Sequence, residues 1–114
     1  MSIEEIQKTI EVIMNSIKNH RKLNDYYGLL TDGIACLEYS YKLIDVIVDN
    51  EQAYRQIQAL EITKETLGKA EVIAKASNEY KNWKKATFLY DTLIEMNMTC
   101  KKLATSNEKE LKSN

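Results

Sequence analysis

Residues 23–48, LNDYYGLLTDGIACLEYSYKLIDVIV, decide how this chain folds. Within them Leu23, Tyr27, Leu30, Ile34, Leu37, Tyr41, Ile44 and Val48 follow one another at spacings of four and three without exception. Such a row closely matches the helical turn and marks the face that one helix lays along another. A half-buried strand needs alternation every two residues, which the stretch lacks. The chain contains no proline, so no ring forces a kink or a stop. The expected fold is all-α: a three-helix bundle with long antiparallel second and third helices, coiled-coil-like packing, and the first helix laid along their groove.

Upstream of the row, Ser2 stands three residues before Glu5, the spacing of a helix-capping box. Ile3, Ile6, Ile10, Ile13 and Ile17 then repeat at helical spacing, widened by Val12 and Met14. Isoleucine is a slightly poor helix former, so this first helix depends on burying that face. The phase breaks at His20 and Asn24. A first helix ending between Asn19 and Leu30 accounts for it, with a turn in Lys18–Asp25 or a new start capped by Thr31 or Asp32. Gly28 and Gly33 each cost about 1 kcal/mol in a helix interior relative to alanine.

Downstream, Ala53, Ile57 and Leu60 continue the second helix in a shifted phase. Glu61–Gly68 is the second connection, with Thr63 or Thr66 as a cap. Ala70, Ile73, Ala76, Tyr80, Trp83, Ala86, Tyr90 and Leu93 form a third stripe that reaches Cys100 and Ala104. Residues 1–105 read as a single helical domain and 106–114 as a polar tail that frays.

At 114 residues, a lone helical hairpin buries too little surface, which favours a compact bundle or self-association. A net charge of −1 offers no overall pull on nucleic acid or an anionic membrane. The acidic start Met1-Ser2-Ile3-Glu4-Glu5 is unlike a signal peptide, and no apolar run reaches membrane-spanning length. The expected setting is the cytoplasm, with no membrane partner. Cys36 and Cys100 lack metal or redox spacing and read as reduced, near-core thiols, with Leu37 and Tyr41 defining the buried side beside Cys36.

No catalytic, cofactor-binding or metal constellation emerges. His20 has Ser16, Ile17, Leu23 and Asn24 as its helical neighbours. None is a carboxylate or thiol, so it reads as a solvated histidine near a helix end. No glycine-rich phosphate loop is present. The third stripe interleaves Tyr80 and Trp83 with Lys75, Lys81, Lys84 and Lys85. Cations beside rings are what a single strand of nucleic acid uses; equally, the rings belong to the seam and the lysines solvate the other face. Seven tyrosines, among them Tyr26, Tyr27, Tyr39, Tyr41 and Tyr54 on the second helix, suit surfaces that pack partly wet, as interfaces do.

The segments Leu37-Glu38-Tyr39-Ser40-Tyr41-Lys42, Ala76-Ser77-Asn78-Glu79-Tyr80-Lys81-Asn82-Trp83-Lys84-Lys85-Ala86 and Tyr90-Asp91-Thr92-Leu93 resemble small all-helical accessory proteins of tailed bacteriophages. Those proteins are often encoded among early genes near recombination functions. The likeness spans about residues 30–105 and rests on generic helix patterns. It implies a small oligomeric protein of the host-cell cytoplasm without enzymatic activity, helping DNA transactions or inhibiting a host machine.

The functional expectation is therefore a non-enzymatic module that self-associates and engages another protein. Leu30, Ile34, Leu37, Tyr41 and Ile44 carry the assembly, and no cofactor is required. The alternative is a single-stranded nucleic-acid-binding accessory of recombination or replication, acting through Lys81, Trp83, Lys84 and Lys85.

Overall fold

The computed structural model describes the backbone of residues 1–113 and the side chains of residues 1–106. It contains four helices: α1 (Ile3–Lys22), α2 (Tyr26–Ile62), α3 (Leu67–Lys75) and α4 (Asn78–Ser113). No strand occurs among the described residues. Most of the 106–114 tail expected to fray lies outside the described side chains.

α1 starts where Ser2 Oγ accepts the Glu5 amide hydrogen at 3.1 Å. Glu4 and Glu5 occupy its first turn and His20, Arg21 and Lys22 its last, each sign where the helix dipole favours it. It ends in a Schellman motif. Asn24 takes a left-handed φ of 51°, the Asp25 amide reaches the His20 carbonyl at 2.9 Å and the Asn24 amide reaches Arg21 at 3.2 Å. Asp25 then caps α2 by accepting from the Gly28 amide at 2.9 Å. The first break thus falls at Leu23–Asp25, and neither Thr31 nor Asp32 is a cap. Leu23, expected to begin the second helix's row, lies in the turn instead.

The expected third helix is two helices, because Ser77 interrupts it. Its hydroxyl donates to the Ala74 carbonyl at 2.6 Å and accepts from the Tyr80 amide at 3.2 Å. That hydroxyl stands in for backbone partners and opens the helix at one point. α3 is capped by Thr66 and packs through Ala70 and Ala74 against the far end of α2.

α2 and α4 form the main antiparallel pair. Tyr54 meets Trp83 at one end, and Gly33 meets Asn97 and Cys100 at the other. α1 lies along them and adds Ile3, Ile6, Ile10 and Ile13 to a core with Cys36, Leu43, Ala86, Leu89 and Leu93. The molecule is a rod of 70 × 23 × 17 Å.

The inward face of α2 is not the row that sequence singles out. Leu29, Gly33, Cys36, Ser40 and Leu43 are buried. They form a second repeat of fours and threes, each one residue ahead of Leu30, Ile34, Leu37, Tyr41 and Ile44. One residue is about 100° of rotation. The smaller residues lie between the helices, where glycine, cysteine and serine let backbones approach. The larger ones are turned away.

Candidate interaction surface

In the chain by itself, Ile34 is 65%, Tyr41 64% and Ile44 40% exposed, with Tyr27 and Val48 also exposed on the same row. Leu30 and Leu37 are half-buried. On the other flank of α2, Asp32 bonds to Ser16 and His20 of α1, and Ala35, Tyr39 and Val46 pack against the core that α1 completes. α1 thus covers one side of the α2–α4 pair and leaves the row on the opposite side uncovered. Contiguous apolar surface of this kind is unusual on a chain that has already closed a core.

A groove of about 180 Å³ opens on this side between α2 and α4. Leu30, Gly33, Ile34 and Leu37 line it from α2, and Asn97 and Lys101 from α4. Asn97 is 6% exposed, and among the described residues no side-chain hydrogen bond satisfies its carboxamide. Its Oδ1 lies 2.9 Å from where a Gly33 Cβ would stand, so that helical glycine admits the amide. The groove leaves that carboxamide, a donor and an acceptor together, open to a polar partner from outside the chain. Nothing in the sequence alone distinguishes Asn97 from a surface asparagine.

A polar cluster ties the start of α2 to α1. Asp32, buried in α2, accepts from Ser16 Oγ at 2.7 Å and from His20 Nδ1 at 2.7 Å. Asp25 Oδ2 stands 3.9 Å from His20 Nε2. The hydrogen bond to Asp32, outweighing partial desolvation, raises the His20 pKa above its ordinary value. His20 is therefore not the solvated histidine that sequence suggests. Its carboxylate partner comes twelve residues later, across a turn, beyond the reach of helical spacing. Ser16 Oγ also stands 3.4 Å from His20 Nδ1, so the three side chains form one cluster in which the hydroxyl and the imidazole both donate to the Asp32 carboxylate.

Tyr80 and Trp83 of α4 are engaged internally, whereas Phe88 is exposed. Tyr54, buried in α2, stacks on Trp83 with centroids 5.5 Å apart and lies 5.0 Å from Tyr80. The Lys84 ammonium sits 4.2 Å from the Trp83 ring centre and Arg55 5.5 Å from it. Lys81, Lys84 and Lys85 are exposed. The structure therefore brings Trp83 and Lys84 together, with Tyr54 and Arg55, which sequence reasoning did not pair with them. Cys36 and Cys100 are buried free thiols, and the buried side next to Cys36 is Ser40 and Leu43, not Leu37 and Tyr41.

Among the described residues no helix is long and apolar enough to cross a membrane. Comparison with family models, curated proteins and solved structures finds no match to this chain.

Proposed function

We propose that this chain is a non-enzymatic helical interaction protein that self-associates through the outward row of α2 and, so assembled, engages another macromolecule. One observation carries the reading: Ile34, Tyr41 and Ile44 are exposed on a rigid 37-residue helix whose other face is already occupied. Leu30 and Leu37 complete the row at the edge of the groove. Covering it removes apolar surface from water at about 25 cal/mol per Å² before the cost of association. The likeness to phage accessory proteins supplies a setting, the cytoplasm of a host cell, and a role as a helper or an inhibitor. The packing of Tyr54 and Lys84 against Trp83 supports a structural role for that cluster over stacking on bases.

The test is Ile34→Asp. Its side chain takes no part in the core, so helical content by circular dichroism stays at the wild-type level while the mass by light scattering falls to that of one chain. An unchanged mass, or a wild-type protein that is already monomeric, refutes the proposal.

A further inference from the structure

We infer that the occupant of the uncovered face is a second copy of this chain, with the two α2 helices antiparallel, the twofold axis between Ile34 and Leu37, and Asn97 meeting Asn97 of the partner subunit on that axis. The inference rests on the self-association reading and adds its geometry.

The size of the face suits a second copy. From Tyr27 to Val48 the row runs about 32 Å at 1.5 Å per residue. With the edge of α4 that lines the groove through Asn97 and Lys101 included, a two-helix layer about 20 Å wide gives roughly 650 Å² per chain, near the roughly 800 Å² that each partner contributes to a stable interface.

The register follows from the side chains. Parallel pairing sets Tyr27 on Tyr27 and Tyr41 on Tyr41 of the partner subunit, bulky against bulky. Antiparallel pairing has two registers that each match six members of the row. One sets Leu30 against Val48, Ile34 against Ile44 and Leu37 against Tyr41 of the partner subunit. It also brings Glu38 onto Glu38 of the partner subunit and Tyr27 over Glu51 of the partner subunit. The other sets Tyr27 against Ile44, Leu30 against Tyr41 and Ile34 against Leu37 of the partner subunit. There each tyrosine meets an aliphatic chain, and Glu38 lies beside Thr31 of the partner subunit. Like charges directly opposed are unfavourable and large-against-small packing fills space, so the second antiparallel register wins.

An independent feature falls at the same place. Ile34 and Leu37, which straddle that axis, are also two walls of the groove that holds Asn97. In an isologous interface a residue on the axis meets its own copy. A carboxamide carries both donor and acceptor, so it pairs with itself. The groove-lining amide thereby meets a protein partner, and a single buried asparagine is a known device for fixing register.

The experiment mixes full-length Tyr27→Cys and Ile44→Cys chains under mild oxidation, the native thiols being buried, and measures the wild-type mass by light scattering. A mass of two chains, with disulfides forming only between chains that carry different substitutions, is the expected result. A wild-type mass of one chain removes self-association altogether. A dimer whose Tyr27→Cys chains cross-link to one another, or in which neither variant cross-links, leaves self-association standing and overturns the antiparallel register. Asn97→Asp, its helicity checked by circular dichroism, is expected to lose the dimer at about pH 7 and regain it near pH 4, where an aspartate of ordinary pKa is half-neutralised. A folded Asn97→Asp dimer that persists at pH 7 removes Asn97 from the axis.

Discussion

His20 and Asp32 are joined Nδ1 to Oδ2 at 2.7 Å, with the carboxylate 7% and the imidazole 27% exposed. This bond closes the α1–α2 corner, because Ser16 secures the other carboxylate oxygen from one turn earlier on α1. Folding raises the pKa of His20, so the pairing contributes fully below the ordinary histidine value of 6.5 and fades as pH climbs through the raised value. The melting temperature is expected to be lower at about pH 9 than at about pH 6. In His20→Gln that difference shrinks; a wild-type melting temperature that does not fall between the two would show that the pairing adds nothing.

Gly28 makes the corner possible. A Cβ at this position would lie 2.5 Å from the His20 ring and 2.8 Å from Asp25 Oδ2. Replacing an interior helical glycine by alanine ordinarily stabilises by up to about 1 kcal/mol. Gly28→Ala is expected to do the reverse, displacing the imidazole and lowering thermal stability by roughly 1–2 kcal/mol. Gly68→Ala, which meets nothing within 4 Å, serves as the control and should be neutral or stabilising.

The thiols should be silent. Burial pushes the Cys36 pKa up to about 12 and the Cys100 pKa up to about 11. The reactive thiolate is therefore scarce at neutral pH, as well as shielded. A disulfide-exchange reagent at about pH 8 is expected to label the folded chain at least tenfold more slowly than the denatured chain. Comparable rates in the two states would contradict the packing of α2 on α4.

Tyr54 anchors the far end of the rod, 3% exposed and stacked on Trp83. Tyr54→Ala is expected to cost about 3 kcal/mol, as truncation of a buried aromatic does, and to red-shift the emission of the single tryptophan. Because that ring is covered by Tyr54 and Lys84, oligonucleotides at low salt should leave the wild-type emission unchanged. Salt-sensitive quenching would instead favour the nucleic-acid reading.

The sequence by itself determined that this chain is helical, where α1 begins and that α2 gives way within Glu61–Gly68; it bracketed the first turn between Asn19 and Leu30 without fixing it. Those are local matters: Ser2 and Thr66 cap because their hydroxyls reach amides three residues on, and periodicity is a property of a single helix. Ser77 was legible in principle as a cap, but the apolar stripe running through it hid the break. Which face of α2 turns inward was not local. Two repeats of fours and threes lie about 100° apart on that helix, and only α1 and α4 decide between them. They take the row of small residues, Gly33, Cys36 and Ser40, because it lets backbones come close, and the greasier row is left facing out. The same holds for His20 with Asp32 and for Asn97 in its groove: each depends on residues brought together from different helices, a distance that no spacing along the chain encodes.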